Sequence, residues 1–291
     1  CLPLDKQTAL GQQLSSEGKL LSEFPPRCTD DWRRWTGGLA LEWRPSDGQL
    51  LYAQVDSGYK AGGFIVADSG EFDPETVVAY TLGSKSLLLD GRLTLNLEAF
   101  YYDYENYQVV EIDGLSIRTE NAPEARVFGI EAEFDTEPVP GLRINGQVGY
   151  LNAEYTDYEE CRDAKDLSVQ DCTGNQLSRS PRFSGNVIVT YDFDLKKLGR
   201  LTPFVQIYAS DEIFFRPTNE SADAQEAYYL LTFRLGWESL HQRLGLDVFI
   251  DNALDKDVAT TKIVGSSLLG SPLVDAYDRP RTVGARVSMS W

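Results

Sequence analysis

The end of the chain, from Thr282 to Trp291, alternates strictly between polar and apolar side chains. Because successive side chains of a β-strand point to opposite faces, this pattern predicts a strand with one apolar face and one polar face. The apolar face carries Val283, Ala285, Val287, Met289 and Trp291. Similar segments recur along most of the chain. This dyad repeat is typical of an outer-membrane β-barrel, whose strands face lipid on one side and a wet lumen on the other.

Two internal segments show the same division into faces. In residues 92–112, Leu93, Leu95 and Leu97 fall on one side, with Thr94, Asn96 and Glu98 on the other. In residues 142–156, Ile144 and Val148 oppose Arg143, Asn145 and Gln147. A closed soluble barrel rarely lines its interior with such groups, because unpaired buried polar groups are costly. We therefore expect the polar side chains to face a lumen.

The composition agrees with a membrane barrel. The chain has 291 residues, enough for one large all-β unit, and its mean hydropathy is −0.31. No stretch of about 18 apolar residues occurs, which excludes a transmembrane helix. Aromatic residues make up 11% of the chain and include 15 Tyr. Tyr and Trp suit membrane interfaces because their rings are apolar and their tips are polar.

The formal net charge is −18, from 27 basic and 45 acidic residues. This balance argues against a nucleic-acid partner, whose binding relies on basic patches. It is compatible with a well-solvated surface, and also with a loop surface that attracts cations.

The four cysteines suggest two local disulfides in an oxidising compartment, Cys161 with Cys172 and Cys1 with Cys28. Cys1 could instead carry a lipid, which would leave Cys28 without a partner. We expect no metal site and no cofactor, because no CxxC spacing occurs and His241 is the only histidine. The chain has no initiating Met, so we expect it to be processed or incomplete.

The pattern predicts about eleven strands in an antiparallel all-β barrel wall. They lie near residues 36–45, 50–64, 75–89, 92–112, 116–135, 142–156, 182–194, 200–214, 226–238, 243–262 and 280–291. Residues 1–35 would form an extracellular loop region, and residues 36–291 would form the barrel. Short and long connections alternate, as in outer-membrane barrels; only the link near Asp113 is short where a long one is expected.

An odd number of strands has a consequence for closure. Eleven up-and-down strands would bring the first and last strands together in parallel, whereas bacterial single-chain barrels use even numbers. An open edge in lipid leaves backbone groups without hydrogen bonds. We therefore expect this chain to be the carboxy-terminal part of a larger barrel.

Several segments resemble the TonB-dependent receptors, the gated transporters of the Gram-negative outer membrane. Residues 51–53 (LYA) and 57–64 (SGYKAGGF) are similar to one strand of that family, and residues 72–76 (FDPET) to the next. Residues 129–133 (GIEAE), which follow Asn121-Ala122, and residues 251–256 (DNALDK) resemble later strands. The terminal Trp291 is similar to the aromatic signal read by the barrel-assembly machinery.

The resemblance implies a 22-stranded barrel with an amino-terminal plug folded inside, of which this chain would supply strands 12 to 22. The expected partners are outer-membrane lipid, the amino-terminal half of the barrel with its plug domain, and the TonB energy-transducing complex. TonB would act through the missing amino-terminal part. That part would be another chain, a removed segment or simply absent from this sequence.

The leading functional hypothesis is TonB-dependent active uptake of a scarce small-molecule ligand, such as a ferric siderophore, with no covalent chemistry. Candidate ligand contacts are Tyr59, Lys60, Phe214, Phe215 and Arg216. Aromatic rings could stack on a flat ligand, and Arg216 could pair with an anion.

Two alternatives belong to other classes. A passive porin or adhesin would need an even-stranded, self-sufficient chain. A secreted β-rich enzyme acting on glycans would need two facing carboxylates. Glu131 and Glu133 share a strand face, but such pairs arise by chance in a chain so rich in acidic residues.

Overall fold

The computed structural model describes residues 30–64, 71–113, 116–163, 165–166, 168–241, 243–264, 270 and 272–290. In these residues the strands are β1 (Gly37–Ser46), β2 (Gln49–Lys60), β3 (Gly63–Phe64), β4 (Glu71–Phe72), β5 (Glu75–Leu88), β6 (Leu93–Asp113), β7 (Ser116–Val139), β8 (Leu142–Asp157), β9 (Cys161–Arg162), β10 (Val169–Gln170), β11 (Phe183–Tyr191), β12 (Phe193–Asp194), β13 (Arg200–Ser210), β14 (Ile213–Phe214), β15 (Ala224–Gln225), β16 (Tyr228–Glu238), β17 (Leu244–Asp251), β18 (Ala259–Val264), β19 (Leu273–Tyr277) and β20 (Thr282–Met289). Single 3-10 turns occur at Lys196–Leu198 and Ser221–Asp223. The part of the chain described here contains no helix with the length and apolar character needed to cross a membrane.

The long strands form one antiparallel sheet in the order β1-β2-β5-β6-β7-β8-β11-β13-β16-β17-β20. Each long strand pairs with the next long strand of the chain, which is an up-and-down arrangement. Within the described ranges, β1 and β20 are the two edges and do not pair with each other. The sheet is thus an open, partial barrel, and the all-β antiparallel fold predicted from the sequence is confirmed.

Cross-strand pairing places the apolar side chains on one face of the whole sheet. One row runs through five strands as Leu39, Val55, Tyr80, Tyr101 and Phe128. Residues opposite each other on neighbouring strands share a face. On this face, five of the residues expected to point outward are 44% to 73% exposed: Leu97, Val148, Val283, Val287 and Met289. An apolar surface of this extent suits contact with lipid.

The other face carries hydrogen-bonded polar side chains. The Tyr52 hydroxyl donates to a Glu98 carboxylate oxygen at 2.5 Å. The Arg143 guanidinium donates to both carboxylate oxygens of Asp135, the shortest distance being 2.8 Å. The register therefore confirms that the apolar and polar sets occupy opposite faces of the wall.

The hairpin of β6 and β7 explains the short link near Asp113. These strands have 21 and 24 residues and stay paired up to Asp113 and Ser116. A membrane-spanning strand needs only about 9–11 residues. Beyond Glu105 of β6, no pairing with β5 is found in the described residues. The hairpin therefore projects past the rest of the sheet, and a two-stranded ribbon takes the place of the expected long loop.

The predicted strand at 243–262 is wrong in its second half. The sheet strand β17 ends at Asp251, and residues 259–264 form β18, which pairs with β19 in a separate hairpin. The cause is a turn at Asn252 and Asp255, whose φ angles are 47° and 56°. The Asn252 side chain stabilises this turn by accepting from the Lys256 backbone N–H at 2.9 Å. Similarly, the predicted strand at 200–214 leaves the sheet after Ser210.

Candidate functional site

The candidate site lies at the end of the wall opposite the tight turns. Turns at 47–48, 89–92 and 140–141 close one end of the sheet, and the longer connections gather at the other. We call the second end the loop end.

At the loop end, a core of buried residues covers the polar face of the wall. Tyr155 of β8 is 1% exposed and lies on the same face as Gln147, four residue pairs further along the strand. It packs with Tyr158 and with the bonded cysteines Cys161 and Cys172. The predicted disulfide between these two cysteines is thus present, and the segment it closes folds inward. Cys1 and Cys28 lie outside the described residues.

Side-chain hydrogen bonds hold two connections together as one unit, which we call the cap: the described residues of 158–181 and residues 213–225. Asn175 donates to the Pro217 carbonyl at 2.8 Å. The Gln176 backbone N–H donates to Asn219 Oδ1 at 2.7 Å, and Asn219 Nδ2 returns a bond to the Gln176 carbonyl at 2.9 Å. Reciprocal bonds of this kind fix the relative position of the two segments.

Two side-chain amides hold the projecting ribbon near the point where it leaves the sheet. Gln108 and Asn121 face each other across the hairpin. Gln108 Nε2 donates to the carbonyl oxygens of Ala61 and Asp73 at 2.9 and 3.1 Å, and Asn121 Nδ2 donates to the Asp73 carbonyl at 3.0 Å. The Asp73 N–H completes the arrangement by donating to Asn121 Oδ1 at 2.7 Å. The ribbon is thereby tied to the connection between β2 and β5.

A cavity of about 300 Å³ lies between the ribbon, the cap and strand β18. It is lined by Tyr107, Gln108, Val109, Val110, Tyr155, Ser178, Arg179, Phe215, Arg216, Thr261, Lys262, Ile263 and Val264. These described lining residues include three cations and no carboxylate, although the whole chain carries a net charge of −18. The cavity is therefore a locally basic and aromatic site in an acidic protein.

The charge of Arg216 is neutralised by carboxylates inside the cap. Its side chain is 9% exposed, and Nη1 lies 3.4 Å from Asp163 Oδ1. Nη2 lies 3.8 Å from Glu220, which also pairs with Lys165. The pKa of the Asp163 carboxyl is lowered overall, although burial alone would raise it. Burial is outweighed by the hydrogen bond from the Lys165 backbone N–H, by the bond with Glu220 and by the Arg216 charge. Arg216 thus joins the two segments of the cap.

Arg179 has a different environment in the same cavity. Its guanidinium lies over the Phe215 ring, 5.1 Å from the centroid. It donates to two uncharged oxygens, the Thr260 carbonyl at 3.1 Å and Thr261 Oγ1 at 3.4 Å. Among the described residues, no carboxylate lies within ion-pair distance of Arg179. Its backbone has φ of 61°, a conformation that is uncommon outside glycine.

The structure separates the predicted ligand contacts into two places. Phe215 and Arg216 line the cavity, and the Phe214 carbonyl accepts the Arg179 N–H at 2.8 Å. Tyr59 and Lys60 lie at the end of β2, opposite Thr76 and Glu75, and are not among the lining residues.

No sequence pattern singles out Arg179, Tyr107 or Gln108 as site residues. Arg179 falls in a polar connection, and Tyr107 and Gln108 fall in a strand that reads like its neighbours. Only the folded ribbon and cap bring these residues together.

Comparison with known proteins identifies relatives of the chain. The family model described as "TonB dependent receptor-like, beta-barrel" matches residues 12–253. The metal-pseudopaline receptor CntO of Pseudomonas aeruginosa is 30% identical over 156 residues, which cover 54% of this chain and 20% of CntO.

Solved structures share the fold. The ferric yersiniabactin uptake receptor FyuA of Yersinia pestis superposes with a TM-score of 0.71 at 24% identity, covering 87% of this chain and 36% of that one. The siderophore receptor PiuA of Acinetobacter baumannii gives 0.66 at 19% identity, covering 87% of this chain and 35% of that one. The chain therefore spans about a third of the length of these structures and a fifth of CntO.

Proposed function

Because the chain belongs to the TonB-dependent receptor β-barrel family, we propose that it forms the carboxy-terminal wall of a receptor that takes up a scarce metal chelate, such as a ferric siderophore. Proteins of this family reside in the Gram-negative outer membrane, and the chain shares that location. The similar proteins named as receptors for metal-pseudopaline and ferric yersiniabactin support a metal chelate as the ligand class.

The two faces of the sheet fit this location. The apolar face would contact lipid, because a basic side chain facing lipid at the midplane costs about 2–4 kcal/mol. The polar face would line the lumen and contact a plug domain. The loop end would then be extracellular, opposite the short turns on the periplasmic side.

The open edges support further strands as partners. β1 and β20 each present one unpaired edge in the described sheet, and lipid offers no partner for backbone groups. We propose that strands from an amino-terminal half pair with both edges. The TonB complex would act on the plug associated with that half.

The observation that carries the proposal is the cap folded over the polar face at the loop end. The cap, the ribbon and β18 line a basic, aromatic cavity where a ligand from outside would arrive. A receptor needs such a binding site, whereas a passive pore needs an open mouth. The family consists of receptors rather than enzymes, which also disfavours the glycan-acting alternative.

The test is uptake by cells. A siderophore-deficient Gram-negative strain lacking its own receptors would express the full-length receptor that contains this wall. We would supply 55Fe(III) bound by 2,3-dihydroxybenzoate, by citrate or by desferrioxamine. We expect accumulation of at least one chelate, lost on adding a protonophore. Accumulation that survives the protonophore would favour a passive pore, and no accumulation of any chelate would contradict the proposal.

A further inference from the structure

We propose that Arg179 and Phe215 form a subsite for a flat, negatively charged ring group of the ligand. This inference rests on the proposed function, because it names the chemistry that the receptor would recognise. The occupant would be a ring bearing a phenolate or carboxylate, held at the junction of the cap and β18.

The distribution of charge singles out Arg179. Of the three cations lining the cavity, Arg216 faces Asp163 and Glu220, and Lys262 lies 3.9 Å from Asp275. Arg179 bonds only to neutral oxygens in the described contacts. An anion entering the cavity would therefore meet a positive charge that no neighbouring carboxylate has neutralised.

The geometry of Arg179 suits recognition of a planar anion. Stacking on Phe215 holds the guanidinium plane, and the bonds to Thr260 and Thr261 use two of its five N–H donors. The remaining donors suit a bidentate contact with a carboxylate or with paired phenolate oxygens. The rings of Tyr107 and Phe215 line the same cavity and could flank an aromatic group.

The backbone at Arg179 is strained. Its φ of 61° lies in the left-handed region, which a non-glycine residue adopts at a cost and which occurs at ligand-binding sites as well as in turns. Glycine would relieve this strain. Arg179→Gly would therefore remove the guanidinium while favouring this backbone conformation, which makes it a direct test of the side chain's role.

The cavity has room for a ring-sized group. Its volume of about 300 Å³ lies at the lower end of small-molecule sites. The subsite would hold one ring-bearing arm while the rest of the ligand stays in the lumen.

The experiment measures equilibrium binding of the three 55Fe chelates to the purified full-length receptor in detergent micelles. The 2,3-dihydroxybenzoate chelate is anionic and presents flat aromatic rings, the citrate chelate is anionic without an aromatic ring, and the desferrioxamine chelate lacks both features. We expect the catecholate complex to bind most tightly. Arg179→Gln should lower its affinity about tenfold to a hundredfold, the range for a charged hydrogen bond. Phe215→Leu should also lower it, and Arg179→Lys should have an intermediate effect.

Two variants separate recognition from folding. Arg179→Gly loses the same bonds to Thr260 and Thr261 as Arg179→Gln but relieves the backbone strain, so it should be at least as heat-stable as Arg179→Gln while losing affinity to the same extent. Arg162→Gln is the matched control, an exposed arginine of the same connection that does not line the cavity, and should bind normally.

Unchanged catecholate binding in both Arg179→Gln and Arg179→Gly would overturn the inference. Wild-type binding of only the citrate or desferrioxamine chelate would overturn it too, while leaving the proposed uptake intact. If the wild type binds none of the chelates and the uptake assay is also negative, both proposals fall.

Discussion

At the scale of single residues, neighbouring positions on a strand of this wall place their side chains on opposite faces, one apolar and one polar. Leu97 of β6 is 44% exposed on the apolar face. Its neighbour Asn96 lies on the polar face, where its amide donates to Glu133 at 3.4 Å. A charge placed at these two adjacent positions should therefore have opposite consequences.

We expect Leu97→Arg to impair assembly and Asn96→Arg to be tolerated. The first places a cation in lipid at a cost of about 2–4 kcal/mol, whereas the second places it beside the Glu133 carboxylate. The measurement is the fraction of full-length receptor with heat-modifiable mobility in outer-membrane fractions. Normal assembly of Leu97→Arg together with failure of Asn96→Arg would show that the face assignment is inverted.

The arginines at the loop end show where sequence reasoning stops. The sequence supports an aromatic and cationic contact near Phe215, and the cavity does contain that ring. Arg216 is neutralised by Glu220, four residues away, and by Asp163, 53 residues away, and the second of these contacts is not visible in the local sequence. Arg179 gains its position from φ of 61° and a bond to Thr260, 81 residues away, which no local pattern encodes.

At the scale of elements, strands of the sheet are readable and their extensions are not. The period-two pattern locates the long strands because each has one apolar face and one polar face, so that apolar and polar side chains alternate along it. It cannot distinguish a strand inside the sheet from a hairpin beyond it, since both alternate. That is why the predicted strand at 243–262 merges β17 with β18, and why the predicted strands at 92–112 and 116–135 do not show where the sheet ends and the ribbon begins.

The cap is an element whose stability should depend on pH. The folded cap lowers the pKa of the Asp163 carboxyl. The carboxylate therefore stabilises the cap fully above the ordinary carboxyl pKa of about 3.9, and this stabilisation is lost as pH falls through the lower folded value. The groups that face it are Arg216, Lys165 and Glu220. We expect a nitroxide on exposed Glu160 to become more mobile below about pH 4 in the full-length receptor.

Asp163→Asn provides the comparison for this pH effect. Removing one partner of a buried pair costs about 3–5 kcal/mol, so the label should already be mobile at pH 7 and should change less in acid. A label on Asp47, in a turn at the opposite end, should report no change. Equal pH dependence with and without the Asp163 carboxylate would assign the transition to other groups.

At the scale of the whole molecule, the described sheet is an open wall with two unpaired edges rather than a closed barrel. The apolar face extends across every long strand from β1 to β20, and in the described part of the chain the cap covers the polar face at the loop end. The chain is strongly acidic, yet its loop-end cavity is lined by cations. Such a wall would place a ligand-binding surface at the outer opening of a larger barrel.

The central claim is that this wall is one part of a larger barrel, with its apolar face toward lipid. The most direct measurement is a cryo-electron-microscopy map of the full-length receptor extracted from outer membranes into lipid nanodiscs. We expect β1 and β20 to be hydrogen-bonded to strands outside residues 37–289, with Leu97 and Val283 facing the lipid density. A ring closed by pairing between β1 and β20, or the apolar row facing the lumen, would contradict the account.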